Sequence, residues 1–252
     1  MVVSFGPEDI SLVQGGPVER RRYMDTLLSQ QDSAYLRHLI DYRRCLQNRN
    51  KLLEQRCGDR LQFQVYEEAL AEHGAYLHVK RFELFCMLEN RFRETYDSIA
   101  FCGEKGEIRF TPSVRTDSNT IEEWKNVFLE VMDEGRAGDL SLGYSSRGPH
   151  RDDFRCLLNG RAARSYASQG QCRSLALALR LSSVFCLKRQ SSEEMILLVD
   201  DAHTELDSDR TQQLYPLIKG QGQLLVTSHN RDLPHLEGIA RYRVAEGTVA
   251  GI

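Results

Sequence analysis

The chain has 252 residues, 41% of them hydrophobic and 27% charged, enough to bury one large core or two ordinary ones. Its net charge of −3 provides no global basic field for nucleic acid, so any contact with phosphates has to come from local patches. Seven cysteines, an odd number with no CxxC pair and no secretory leader, lead to the expectation of reduced thiols in a soluble cytoplasmic protein, and no apolar run reaches the ~20 residues needed to cross a bilayer.

Residues 2–5 (VVSF) read as a strand that Gly6-Pro7-Glu8-Asp9 turns into a short helix. Gly15-Gly16 breaks the chain, and Pro17 suits the first position of the next helix. Arg20-Arg21-Arg22 lies on that helix and reads equally as a solvated face or as a contact for phosphates. From 33 to about 56, apolar residues recur at Tyr35, Leu39, Tyr42, Leu46 and Leu53, and from about 62 to 96 at Tyr66, Leu70, His73, Leu77, Leu84 and Leu88. The loop Cys57-Gly58-Asp59-Arg60 between them predicts an antiparallel helical hairpin, with Gly74 inside the second helix at a cost of about 1 kcal/mol. Lys80, Arg81, Arg91 and Arg93, with Arg43, Arg44 and Lys51, are candidates for a phosphate-contacting face, although acids interleave with them and a plain solvated face is as good a reading.

Residues 99–102 and 107–110 flank Glu104-Lys105-Gly106 and predict a small hairpin. Thr120 with Glu123 makes a capping box that opens a helix expected to run to about Glu134, carry the only tryptophan, Trp124, and stop at Gly135 to Gly138. A strand is expected over 140–146. Arg147-Gly148-Pro149-His150-Arg151-Asp152-Asp153 is then a turn with three basic groups beside two acids, an ion-paired corner on its own chemistry. Residues 154–158 and 161–166 around Asn159-Gly160 predict a hairpin on a type I′ turn.

The stretch 165–207 carries the densest chemistry. Ser168 with Gln171 forms a second capping box, and Gly170 leaves the backbone bare in the first turn, where free N–H groups and the helix dipole can face an anion. Alone, Ser168-Gln169-Gly170-Gln171 reads more readily as a well-capped buried helix. The apolar run 195–199 suits a central parallel strand and stops at Asp200-Asp201, where carboxylates at a strand's carboxyl end can hold Mg²⁺ or orient a water. Thr204-Glu205-Leu206-Asp207 opens a helix expected to reach about Ile218. A further strand at 224–226 delivers Thr227-Ser228-His229-Asn230, and 242–249 reads as a final edge hairpin around Glu246-Gly247.

In this order the pieces resemble the second lobe of an ABC-type ATPase: a signature motif at Ser168 to Gln171, a Walker B strand ending at Asp200-Asp201, a D-loop at Glu205 to Asp207 and a switch histidine at His229. Gly148-Pro149-His150-Arg151-Asp152-Asp153 followed by Ser-Gln-Gly-Gln, together with Pro7-Glu8-Asp9-Ile10, the run Glu19 to Asp25 and Arg49-Asn50, is similar to the RecF family of bacterial DNA replication and repair ATPases, in the SMC/Rad50-like branch. The resemblance implies an α/β fold: an ABC-ATPase lobe with a mostly parallel sheet and an inserted helical-hairpin arm. It divides the chain into a partial lobe strand and connecting helix (1–30), the arm with its small hairpin (31–136) and the ATPase lobe (137–252). No GxxxxGK[ST] loop occurs in the sequence, so by resemblance a first lobe carrying it is expected ahead of Val2, and this chain alone is expected to be inactive.

By the same resemblance, Ser168, Gln169, Gly170 and Gln171 contact the γ-phosphate of an ATP held by a second head. Asp200 holds Mg²⁺ through water, Asp201 positions the attacking water, His229 senses the γ-phosphate and Asp207 lies at the dimer seam. The complete protein is implied to form an ATP-dependent homodimer on double-stranded DNA near single-strand gaps and to help RecR and RecO load RecA. Asp201 stands where many ABC ATPases have Glu, Cys172 and His203 depart from the RecF pattern, and His229 is more like Rad50. Rival readings are a non-hydrolysing interaction module, another SMC/Rad50-like head, and a transporter ATPase subunit, the last disfavoured by the long helical hairpin.

Overall fold

The computed structural model describes residues 2–100, 103–116, 120–188, 196–200, 222–227 and 240–251. In chain order the elements are β1 (Val2–Phe5), α1 (Ser11–Gln14), α2 (Pro17–Gln31), α3 (Ser33–Glu54), α4 (Arg60–Ile99), β2 (Gly106–Thr111) and α5 (Ile121–Leu142). They continue with β3 (Asp153–Leu158), β4 (Arg161–Ala162), α6 (Ala163–Tyr166), α7 (Gln169–Lys188), β5 (Ile196–Val199), β6 (Gln223–Val226), β7 (Tyr242–Ala245) and β8 (Thr248–Gly251). Two compact units result, one from Met1–Pro7 with Glu194–Ile252 and one from Glu8–Glu193.

In the first unit β1, β5 and β6 form a parallel sheet with β5 in the middle. Val3, Phe5, Leu197 and Val199 are buried at every second position, the period of a pleated strand. The register pairs Phe5 with Val199 and Val199 with Val226, so all three strands end level. The ladder runs one residue further, since the Asp200 amide donates to the Phe5 carbonyl at 2.8 Å and the Thr227 amide to the Val199 carbonyl at 2.9 Å. The carboxyl edge of the sheet is therefore sharply defined, and Asp200 stands on it. β7 and β8 form the expected antiparallel hairpin, with Glu246 (φ 50°) and Gly247 (φ 74°) in the left-handed conformation of a type I′ turn.

The second unit is built on α4, a helix of 40 residues and so about 60 Å long. It packs against α3, α5, α7 and β2. The predicted hairpin with α3 forms. Asp59 caps the second helix by accepting from the Leu61 amide, as Asp32 caps the first from that of Ala34. Leu70, Leu77, Leu84 and Leu88 are buried as the heptad spacing demands, but Phe63, Ala71, Ala75, Phe85, Phe92, Tyr96 and Ile99 are buried too. A two-helix seam explains only the first set; the others cover the sides of α4 that meet α5, α7 and β2. Gly74 belongs to a close approach, since a Cβ there would come within 3.3 Å of the Tyr42 ring and 3.5 Å of Pro149.

Four expected elements are different in the structure. The hairpin over 99–110 does not form: α4 continues through the fully buried Ile99, and β2 pairs antiparallel with β3, Gly106 opposite Leu158 and Thr111 opposite Asp153. The helix from Thr120 does not stop at Gly135 or Gly138 but runs to Leu142 and ends on Gly143, whose φ of +77° and amide bond to the Asp139 carbonyl make a left-handed cap. Two glycines cost about 2 kcal/mol of helix propensity. Burial of Trp124, Phe128, Met132 and Asp139 along α5 outweighs this, so the strand expected over 140–146 is a helix end and loop. The hairpin around Asn159 (φ 51°) and Gly160 (φ 74°) is present, but its second strand is only Arg161–Ala162 before α6 begins. The helix expected after Thr204 lies outside the described residues.

Candidate functional site

The start of α7 forms as its spacing predicts. The Ser168 amide donates to Gln171 Oε1 at 2.8 Å, and the Gln171 amide donates to Ser168 Oγ at 3.2 Å, the reciprocal pair of a capping box. Ser168 and Gln169 are exposed, Gly170 and Gln171 half-buried. From Cys172 onward the helix is buried on most sides, with Leu175, Ala176, Ala178, Leu179, Leu181 and Val184 in the core. Burial raises the Cys172 thiol pKa, so this residue serves packing rather than nucleophilic chemistry. A rigid helix thus ends in an exposed turn whose polar groups face outward.

A support for this turn has no counterpart in the sequence motifs. Gln171 Nε2 donates to Glu104 Oε1 at 2.8 Å, and the Tyr96 hydroxyl, from the last turn of α4, donates to Glu104 Oε2 at 3.0 Å. Tyr96 is fully buried, and Gly106 lies so close over its ring that a Cβ would stand 2.5 Å from it. The glutamine that closes the capping box is therefore tied to the base of the long helix.

At the sheet edge, Asp200 is exposed, and its Oδ1 accepts from Thr227 Oγ1 at 2.5 Å. One neighbouring strand end thus orients a carboxylate carried by the next. Asp201, Asp207 and His229 lie outside the described residues. Among the described residues no group of three His, Cys, Asp or Glu side chains is placed to hold a metal ion by itself.

The turn at 148–153 is a buried junction. Asp153 takes both arms of the Arg20 guanidinium, at 2.7 and 2.8 Å. Asp152 accepts from Arg81 at 3.1 Å and from the Ser113 amide at 2.9 Å, with His78 Nδ1 at 3.6 Å. Burial alone would raise the Asp152 pKa, but His78, Arg81 and the Ser113 amide outweigh it and hold the carboxyl below its ordinary value. His150 is pushed down to about 4 by burial, and its neutral ring bridges the Tyr42 hydroxyl (2.7 Å) and the Ser145 carbonyl (3.0 Å). With the Ser145 carbonyl taking a proton from Nε2, Nδ1 is left to accept from Tyr42. Gly148, at φ +128°, has no room for a Cβ, which would lie 2.6 Å from the Tyr42 hydroxyl.

Arg81, expected on a phosphate-contacting or solvated face, and Arg49 are instead the largest fully buried side chains. Arg81 donates to Asp25 (2.8 Å), Asp152 (3.1 Å), the Pro149 carbonyl (2.6 Å) and the Tyr35 hydroxyl (3.1 Å). Arg49 donates to Glu67 (2.9 Å), Asp139 (2.7 Å) and Ser145 (2.7 Å). Arg81 is therefore removed from the expected phosphate-contacting face: the packing of α4 against α2 and the turn puts it inside, where a full set of acceptors keeps its charge. Arg49-Asn50 was singled out in the sequence only through the family resemblance, and Glu104 and Tyr96 carried no signal for these roles.

No family model matches the chain. It is 36% identical over 252 residues to the DNA replication and repair protein RecF of Geotalea uraniireducens (strain Rf4), covering 98% of this chain and 69% of that protein. To the RecF protein of Geobacter sulfurreducens it is 35% identical over 254 residues, covering 99% and 69%. Among solved structures, it superposes on the recombination mediator protein RecF-ATPrS in the RecFOR pathway with a TM-score of 0.87 at 30% identity, over 100% of this chain and 68% of that one. The Smc head domain of Pyrococcus furiosus with an extended coiled coil, at TM-score 0.51 and 13% identity over 61% of its chain, shares the fold alone.

Proposed function

The chain belongs to the RecF family of DNA repair and recombination ATPases, with the fold of an ABC ATPase head, and on that premise we propose that it supplies the signature helix to an ATP held by a second head and the Walker B strand to the ATP of its own head. The observation that carries this reading is the start of α7: a formed capping box, exposed at Ser168 and Gln169, on a helix otherwise locked in the core. Such a turn offers a serine hydroxyl and the positive end of a helix dipole to an anion approaching from outside. A second head would bring that anion as the γ-phosphate of its own ATP. Ser168 and Gly170 would contact it, Gln169 and Gln171 would frame it, and Asp207 would lie at the seam between heads.

Asp200 suits a water-bridged Mg²⁺. It is an oxygen donor at the carboxyl end of a parallel strand, solvent-exposed and oriented by Thr227, as an ion that keeps several of its waters requires. When bound, Mg²⁺ supplies charge neutralisation at the phosphate oxygens. Of this chain's own groups, Asp200 would orient the hydrated cation, Asp201 would hold and orient the attacking water, and His229 would contact the γ-phosphate side. In the complete protein we place this chemistry in an ATP-dependent homodimer on duplex DNA at single-strand gaps, working with RecR and RecO to load RecA. The long helical arm and the named RecFOR neighbour support that assignment, and no described helix is long and apolar enough to cross a membrane.

The test is calorimetric titration of the purified chain with Mg-ATP, alone and after addition of a separately made lobe carrying a GxxxxGK[ST] loop. The expected result is silence alone and binding on complementation, lost again in Ser168→Arg. Tight binding by the chain alone, or complementation that Ser168→Arg leaves intact, overturns the assignment of α7.

A further inference from the structure

Beside the 148–153 turn, α2, α3 and α4 enclose a cavity of about 360 Å³ whose wall includes Arg21, Arg22, Arg43, Arg81, Asp25 and His150. The four guanidiniums are not equivalent. Asp25 is shared between Arg81 (2.8 Å) and Arg43 (2.9 Å), and Arg81 also serves Asp152. His150 has both ring nitrogens engaged and is neutral at pH 7. Arg21 and Arg22 are the surplus. The Asp153 carboxylate, which acts on Arg21 electrostatically, is already held at both oxygens by Arg20, and Arg21 donates to the Asp152 carbonyl at 3.1 Å. Arg22 is exposed at the mouth. Among the described residues neither forms an ion pair of its own. Desolvation lowers the Arg21 pKa, with Asp153 and Asp152 opposing it and Arg81 and Arg151 adding to it.

A single carboxylate is satisfied by one guanidinium fork, whereas two neighbouring arginines that form no ion pair match the several oxygens of a phosphate. The volume lies at the lower end of small-ligand sites and admits a phosphate or pyrophosphate group. We propose that this cavity is a phosphate-binding site in which Arg21 and Arg22 hold a phosphate ester, separate from the signature turn of α7. The ester can belong to a free nucleotide or to a nucleic-acid backbone. The second source rests on the DNA reading above; the first does not.

Two titrations of the purified chain separate these sources: inorganic pyrophosphate by calorimetry, and a fluorescent 20-base-pair duplex by anisotropy across a salt series. The comparison set is Arg22→Gln, the double variant Arg21→Gln with Arg22→Gln, and Arg155→Gln as an exposed control, each checked for an unchanged melting temperature. The double variant is expected to weaken binding about tenfold or more, and for the duplex to reduce the salt slope by about 1–2, with Arg22→Gln intermediate and Arg155→Gln unchanged. Loss confined to pyrophosphate identifies a nucleotide site, loss confined to the duplex a backbone site, and loss of both a general phosphate-ester site. If the double variant binds both probes like the parent, or the parent binds neither, the proposal is overturned. The first of those outcomes leaves duplex binding, and with it the DNA reading, intact. Should the double variant melt early, Arg22→Gln alone decides, since an exposed side chain has no packing to lose.

Discussion

The turn at 148–153 and the helix start at 168–171 look alike in sequence, each short, polar and glycine-bearing, yet the structure uses them in opposite ways. The turn is buried: Asp152 is 1% exposed and meets a guanidinium, an imidazole and an amide, and His150 bonds at both nitrogens. The helix start is open, held by one capping box and the link through Glu104, with its serine in solvent. Buried polar groups that are fully paired specify how elements pack, whereas exposed ones on a rigid support are available to a ligand. The first motif therefore positions α2, α3 and α4, and the second is where an incoming phosphate would be met.

That contrast predicts a graded series. Arg81→Met should destabilise the chain most, by about 3–5 kcal/mol in chemical denaturation, because it leaves Asp25 and Asp152 buried without their shared cation. A loss below about 1 kcal/mol would break the contrast. Acid should act next. His150 has a folded pKa of about 4 against an ordinary 6.5, so folding disfavours its protonation. Its contribution is complete above pH 6.5 and lost as pH falls from 6.5 towards 4, by roughly 1–3 kcal/mol. Asp152, held below its ordinary 3.8, adds to the loss only further down. Denaturant midpoints from pH 7 to 4 should show this slope, and His150→Gln should flatten it.

Gly148→Ala comes third, at about 1–3 kcal/mol, since it forces a Cβ into a left-handed position against the Tyr42 hydroxyl. Thermal melting of this variant beside Gly160→Ala, which has a positive φ but open space, separates the clash from the backbone strain. The smallest stability effect belongs to Ser168→Ala, about 1 kcal/mol or less for a lost cap, although it should abolish the complemented Mg-ATP signal. If instead it melted the protein without touching that signal, the two motifs would have to exchange roles.

Local signals were legible where one short-range rule governs. The capping boxes at Thr120 and Ser168, the I′ turn at Asn159-Gly160, the edge hairpin around Glu246-Gly247, and the apolar strand ending at Asp200 all formed as spacing predicts. The misread elements are those where a local preference competes with burial. Gly135 and Gly138 read as a helix end, but the helix runs on to Gly143, with Asp139 buried past the glycines and paired to Arg49. Residues 99–110 read as a hairpin because Glu104-Lys105-Gly106 looks like a turn, yet β2 found a longer partner in β3, far along the chain.

By itself the sequence determined the order of motifs, the helical-hairpin arm and the strand-end acid, because each depends on neighbours within a few residues. Only the tertiary structure decided which arginines are inside, what Glu104 holds, and that Arg21 and Arg22 form no ion pair among the described residues. Those outcomes depend on which charges meet across elements distant in sequence: Arg81 from α4 reaches Asp25 and Asp152, and Gln171 from α7 reaches Glu104 beside the end of α4. A charged side chain carries no mark of its burial in the sequence. Whether it ends as solvated surface, buried junction or anion site is set by the partners that packing brings to it.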